Sequence, residues 1–252
     1  MASPVIHTQH PADWAADAGD PAWKIYERVI DAAQAARVPF ALGGAIGLAA
    51  YTNAWRNTKD LDLFVLPRHR RRMIDVITKA GLIDYYDKLP YDRGWIYRAH
   101  ADGVIVDTIW AMANRRAQVD QWWLSGPEVE MRGRKVKVVS AEAMLWDKLY
   151  IMQRERCDWP DIMNLLYAQG EFLEWESILR RCGKDKPLLA GALWMFRWLS
   201  PGAAAKFPEW LWLRLDLPLP QDAGADSVDR KHAAFLDTRP WYALNQTAPW
   251  AA

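Results

Sequence analysis

The 252-residue chain has almost no cysteine: only Cys157 and Cys182. Two thiols this far apart form no metal-ligand spacing, and they point to reduced thiols in a cytoplasmic protein. It also lacks any run of about 18 apolar residues, so no segment is expected to span a membrane. The most apolar C-terminal piece, "LLAGALWMFRWL", carries Arg197 and is too short. The N-terminus has no basic stretch followed by an apolar core, so residues 1–20 read as a loose arm and not as a signal peptide. Charge of one sign is missing as well. Lys and Arg number 32 against 31 Asp and Glu, a net charge of +1, which gives no global pull toward nucleic acid or membrane. There is no internal repeat and no low-complexity linker.

What is present is an ordinary globular composition, 51% hydrophobic and 25% charged, long enough for one large domain or two small ones. Tryptophan is the exception, with sixteen residues scattered along the chain. Rings of that size suit core and inter-helix packing. An aromatic platform for bases is the alternative, and nothing in the spacing favours it.

The periodicity predicts a mixed α/β region followed by helices. "DPAWKIYERVIDAAQAARV" carries a helical stripe of Ile25, Val29, Ala32 and Ala33 that Pro39 ends. "FAL" is a short strand broken at Gly43-Gly44, and "AIGLAAYTNAW" a short helix. "DLDLFVLP" alternates, with Asp60, Asp62 and Phe64 on one face and Leu61, Leu63 and Val65 on the other. "RHRRRMIDVITKAGL" is a helix with Met73, Val76 and Ile77 inward and Gly81 as its stop. Asp102-Gly103 predicts a hairpin between two strands, and "RKVKVVS" a further strand. From Ser140, a plausible N-cap, "AEAMLWDKLYIMQRE" reads as helix. Asp158 is expected to cap the next one, and two more helices follow. The boundaries are 1–20 for the arm, 21–139 for the α/β core, 140–215 for the helical region and 216–252 for an irregular tail.

Two carboxylates at i and i+2 of a strand project to one side, about 6–7 Å apart at the backbone. They repel, and a divalent cation removes that cost. Mg²⁺ suits such a pair because it takes few protein carboxylates and fills its other positions with water and phosphate oxygens. A glycine pair opening a helix lets backbone N–H groups face an anion with no Cβ in the way. The stretch Phe40–Val65 therefore reads as a phosphate cradle followed by a metal clamp. Asp107, inside the apolar strand "GVIVDTIW", needs a partner to be buried ionised. A metal shared with Asp60 and Asp62 is one such partner, and Asp107 also suits a general base. Singly, a glycine pair is usually a turn and an Asp-x-Asp a solvated strand end; the ordered set is far rarer. Phosphatases and glycosyltransferases that use Asp-x-Asp place it after an apolar strand, whereas here the apolar run follows it.

"GGAIGLAAYTNAWRNTKDLDLFV" together with "VIVDTIW" resembles the DNA-polymerase-β-type nucleotidyltransferase superfamily, over residues 38–110 and more loosely to about residue 167. "SAEAMLWDKLYIMQRERCDWPDIMNLL" is similar to the helical segment of two branches, the aminoglycoside nucleotidyltransferases and the abortive-infection toxins. The resemblance implies an α+β fold, a mixed sheet with flanking helices and a helical C-terminal half. It implies a metal-dependent nucleotidyltransferase that moves an NMP from an NTP to an acceptor hydroxyl and releases pyrophosphate. Gly43 and Gly44 would hold the triphosphate; Asp60, Asp62 and Asp107 would hold Mg²⁺ or Mn²⁺ or, for Asp107, serve as base. Lys148 matches a nucleotide-contacting lysine and Asp161 an acidic position of the same segment, though a solvated helix lysine and a first-turn helix charge are the plainer readings. Ala45 stands where the commoner motif has serine, so one hydroxyl contact to phosphate is absent. Fifteen residues separate Gly44 from Asp60, more than in the shortest relatives.

The acceptor is either the 3′ end of tRNA, as in the toxin-like branch with its antitoxin partner, or a small hydroxylated molecule. Arg68, Arg70, Arg71 and Arg72, together with Lys148, lean toward RNA, although the arginines lie about 20 Å along the strand from the carboxylates and a solvated helix face is the plainer reading of their cluster. A non-catalytic nucleotide-binding or assembly module is the rival from another class.

Overall fold

The computed structural model describes residues 20–53, 58, 60–221 and 228–236. The N-terminal arm to residue 19, most of the "RNTK" connection and much of the C-terminal tail lie outside them. The chain divides into two compact units, the first running to Ser140 without Tyr51–Asn53, the second formed by those three residues and everything from Ala141.

The first unit is a mixed sheet with helices. Helix α1 (Asp20–Ala35) buries Ile25, Val29, Ile30 and Ala33 on one stripe. Strand β1 is only Ala41–Leu42, and helix α2 (Gly44–Thr52) starts at once after it. Strand β2 (Asp60–Phe64) alternates as its sequence demands: Leu61 and Leu63 are fully buried, while Asp60 and Asp62 are half-buried. Helix α3 (Arg70–Lys79) turns Met73, Val76 and Ile77 inward. After the two-residue strand β3 (Ile83–Asp84) come β4 (Ile96–Ala101) and β5 (Val104–Ile109). Their turn places Asp102 and Gly103 at φ 48° and 80°, the left-handed pair that a two-residue hairpin loop requires.

The sheet order is β1-β2-β5-β4-β3. Among the described strands of this sheet only β2 and β5 pair in parallel, and their register sets Asp62 directly opposite Asp107. Strands β6 (Glu128–Met131) and β7 (Arg134–Lys137) form a separate hairpin. Alternation marks β7 in the sequence but leaves β6 unmarked, because its "EVEM" is short and half charged.

The second unit is helical. Helix α4 (Ala141–Lys148) stops well short of the expected "AEAMLWDKLYIMQRE". The apolar repeat fails in "MQRER", and the chain folds back there, with Met152 bridging Cys157 and the Gln153 N–H donating to the Arg156 carbonyl. Helices α5 (Trp159–Gln169), α6 (Trp175–Cys182) and α7 (Lys186–Leu199) follow, with short α8 (Pro201–Ala204) and α9 (Glu209–Arg214). Phe207 stacks on Phe196 and Trp212 and tilts against Trp175. Within the tail, Asp229 accepts from the N–H groups of Lys231 and His232 and caps a short helix α10 (Arg230–Ala234), an ordered piece that the lack of periodicity concealed.

Tryptophan serves packing for the most part. Trp23, Trp110, Trp123, Trp146, Trp175 and Trp212 are buried, whereas Trp194, Trp198 and Trp210 are exposed on the helical unit. No helix among the described residues is long and apolar enough to cross a membrane.

Candidate active site

Strand pairing assembles the acidic cluster. Asp60 and Asp62 share a face of β2, and β5 brings Asp107 alongside Asp62. One oxygen from each of the three carboxylates lies within 4.8 Å of the others. An all-carboxylate donor set of this spacing suits a hard divalent cation such as Mg²⁺ or Mn²⁺. Thr58 donates its hydroxyl to Asp60 Oδ1 at 2.8 Å.

The glycine pair is built against this strand. A Cβ on Gly43 would stand 2.2 Å from the Phe64 ring, and one on Gly44 would stand 1.7 Å from Asp62 Oδ2. Gly44 also has φ +55°, so both space and backbone favour glycine. The Phe64 ring is held from behind by Trp123, stacked at 5.3 Å. The Gly43 N–H donates to the Asp62 carbonyl at 3.0 Å and so is spent on the sheet. What can face an anion is the start of α2 from Gly44 onward, where the first N–H groups of a helix have no partner within it. Helix α2 therefore opens beside the Asp62 carboxylate.

Asp107 is 1% exposed and has a protein partner, Arg98 on the neighbouring strand. Arg98 grips it with two bonds, Nε to Oδ1 at 2.8 Å and Nη2 to Oδ2 at 2.5 Å. Burial pushes the Asp107 carboxyl above its ordinary range, the Arg98 hydrogen bonds and charge pull it down, and Asp60 adds an upward push; the net direction is up. Asp107, and then the charges of Asp60 and Asp62, hold the Arg98 guanidinium more firmly protonated than usual. Arg98 was not singled out in the sequence, yet the turn fixes it. Counting outward from Asp102-Gly103 pairs Ala101 with Val104 and then Arg98 with Asp107.

Lys148 belongs to the second unit. It is buried at 5% exposure, so it is not a solvated helix lysine. Its Nζ donates to Asp158 Oδ2 at 2.8 Å and Asp161 Oδ2 at 2.7 Å. Asp158 occupies the position preceding α5 but makes no side-chain cap. Its carboxylate is drawn away by Lys148 and Arg156. Burial pushes Asp158 up, but the Arg156 hydrogen bonds and the Lys148 charge outweigh it and hold the group below the usual range. The neighbouring Asp147 is pushed up to about 6 by burial, against the pull of Lys148.

The arginine cluster is exposed on α3 and the turn before it. Arg70 lies over the Trp110 ring, Arg68 donates to His69, and Arg72 donates to the Ala36 carbonyl.

A glycine pair opening a helix beside three convergent carboxylates on adjacent strands is the arrangement of a nucleotidyltransferase. Residues 21–200 match the family described as "Uncharacterised nucleotidyltransferase", and the chain belongs to that family. No curated protein matches it. Among solved structures it is similar to the antibiotic-resistance factor ANT(2'')-Ia, at 18% identity and TM-score 0.47, over 67% of this chain and 92% of the other. It is similar also to the lincosamide antibiotic adenylyltransferase LnuA, at 19% identity and TM-score 0.43, over 56% and 94%. A third is JHP933 from Helicobacter pylori, at 13% identity and TM-score 0.38, over 71% and 78%.

Proposed function

We propose that the protein transfers a nucleoside monophosphate from an NTP to an acceptor hydroxyl, with release of pyrophosphate. The observation that carries this reading is the convergence of Asp60, Asp62 and Asp107 oxygens within 4.8 Å, beside the opening of α2. Asp60 and Asp62 would hold Mg²⁺ or Mn²⁺, with Asp107 completing the set. The bound ion would supply charge neutralisation on the phosphate oxygens during an in-line displacement.

The chain's own groups do the rest. The N-terminus of α2 binds the triphosphate, and the absence of side chains at Gly43 and Gly44 lets the backbone approach it. Asp107 accepts the proton of the attacking hydroxyl. Arg98 fixes the orientation of the Asp107 carboxylate through two hydrogen bonds. Lys148 is the proposed nucleotide contact of the helical region on the strength of the family resemblance, with Asp158 and Asp161 holding its ammonium in place.

The acceptor class is decided by experiment. The protein is incubated with Mg²⁺ or Mn²⁺, each α-labelled NTP, and either total tRNA or a pool of hydroxylated small molecules. Label on tRNA supports the toxin-like reading, in which an antitoxin partner follows. Label on a small molecule supports the antibiotic-type reading. NTP binding with no transfer to any acceptor would favour a non-catalytic module instead.

A further inference from the structure

The sheet face that carries the acidic cluster continues past it onto β4. Paired residues of neighbouring strands share a face. Arg98 opposite Asp107, and His100 opposite Ile105, therefore stand on the side of Asp60, Asp62 and Asp107. Asp60, Ile105 and His100 form one row across three strands, which sets His100 two strand spacings, about 10 Å, from Asp60. Asp107 is its diagonal neighbour, and such neighbours stand about 7–8 Å apart on a sheet face. Helix α3 covers the opposite face, where Thr78 hydrogen-bonds Tyr97 and where Leu61, Leu63, Ala99 and Val106 are fully buried. On the acidic face Ile105, between Asp60 and His100, is only half-buried.

His100 is 9% exposed and has no part in the reaction above. Lys88 Nζ lies 3.5 Å from its Nδ1, and Tyr85 meets the ring edge-on at 5.3 Å. An ammonium has no lone pair, so it donates and Nδ1 accepts. The hydrogen of the neutral ring is then on Nε2, a donor with no hydrogen-bond partner among the described residues. Asp84, the acid of β3, is on the other face and is held by Tyr91 and Arg93.

The direction of the displacement says what meets these donors. An in-line displacement puts the attacking oxygen and the leaving pyrophosphate on opposite sides of the phosphorus. The triphosphate is assigned to α2, which opens after β1 with Gly44 against Asp62. The sheet order β1-β2-β5-β4-β3 sets β4 on the other side of the cluster. The acceptor then approaches over Ile105 and His100. An N–H donor beside an ammonium suits phosphate oxygens, and the ammonium repels a polycationic amine.

We propose that His100 and Lys88 form the acceptor subsite and select an acceptor that carries a phosphate beside its hydroxyl. The proposal rests on the nucleotidyltransferase reading. The His100 Nε2–H donates to the phosphate, Lys88 adds charge, and the hydroxyl reaches Asp107.

The test measures transfer from α-labelled NTP with Mg²⁺ in the parent, Asp62→Asn, His100→Phe, His100→Gln and Lys88→Glu. The acceptors are an RNA oligonucleotide with a free 3′ hydroxyl, a pool of sugar phosphates, the same pool after phosphatase treatment, and an aminoglycoside. The parent is expected to label the RNA or the sugar phosphates, which tells the source of the phosphate, and to leave the treated pool and the aminoglycoside unlabelled. His100→Phe keeps a ring and removes the donor. It should raise KM for the acceptor about tenfold or more, as loss of a hydrogen bond to a charged group does, with KM for NTP unchanged. His100→Gln, which restores an N–H, should recover part of the loss. Lys88 is exposed, so Lys88→Glu spares the fold, and it should raise the acceptor KM at least as much. Labelling of the treated pool or of the aminoglycoside as strong as that of the phosphorylated acceptors would overturn the proposal. So would a KM for NTP that rises in step with that for the acceptor, which would mark His100 as structural. If the parent labels nothing, or Asp62→Asn transfers as the parent does, the nucleotidyltransferase reading is wrong and the subsite falls with it. If Asp62→Asn is inactive while the acceptor KM is unmoved in His100→Phe and Lys88→Glu, that reading stands and the two residues have no part in it.

Discussion

Asp107 is where burial, charge and register meet in one residue. Its carboxyl is sealed in the sheet, and Arg98 is its counter-charge. Removing one partner of such a pair strands the other, at a cost of about 3 kcal/mol where the site is buried. Arg98→Met is therefore expected to destabilise the protein by roughly that amount near pH 8, measured by urea unfolding. The sign of its pH dependence follows from the direction of the Asp107 shift. A carboxyl raised above its unfolded value contributes stability at low pH that is lost as pH rises through its folded pKa. Without Arg98 that pKa rises further, so the deficit should shrink as the pH is lowered. A deficit that stays constant with pH would contradict the pairing. Gly44 yields a second prediction at this scale. Gly44→Ala forces a Cβ into Asp62 Oδ2 at a left-handed backbone position. Overpacking of this kind costs about 1–3 kcal/mol, and with Asp62 displaced, Mn²⁺ affinity should fall in the same variant. Asp60, Asp62 and Asp107 were legible in the sequence because their periodicity and their apolar neighbours mark them.

Among the elements, β2 and the β4–β5 hairpin were read closely from alternation and from one turn, because both signals are local. The same turn also fixed Arg98 opposite Asp107, information present in the sequence but reached only by counting the ladder. Helix α4 was overextended, since its boundary depends on the chain folding back so that Asp158 meets Lys148. That is a contact between residues ten apart that no propensity reports. The ion cluster that ends α4 makes two predictions. Lys148→Met leaves Asp158 and Asp161 without their shared cation and should destabilise the protein by about 3 kcal/mol in urea unfolding, because the lysine is buried. Asp147→Asn should act in the opposite sense. Asp147 is raised to about 6, so its contribution to stability is present below about pH 4 and lost as pH rises through 6. The asparagine variant should then be more stable than the parent at about pH 8, by about 3 kcal/mol, and the difference should vanish toward pH 4. Melting curves at the two pH values check it, and a variant less stable at both would contradict the assignment.

At the scale of the molecule, the fold is α+β with a helical C-terminal half, and it carries its acidic cluster at the parallel junction of an otherwise antiparallel sheet. This single parallel pairing is what the sequence concealed. Alternation shows that β2 and β5 are strands, but only a crossover through α3 and the hairpin puts Asp62 beside Asp107. The central claim is that this junction cleaves an NTP between its α- and β-phosphates. The most direct measurement supplies the protein and Mg²⁺ with α-labelled NTP and, separately, γ-labelled NTP, in the presence of an acceptor pool, with Asp62→Asn alongside. The account predicts that the α label passes to the acceptor, that the γ label leaves as pyrophosphate, and that both events are lost in Asp62→Asn. Transfer of the γ label to the acceptor, or transfer undiminished in the variant, would contradict it.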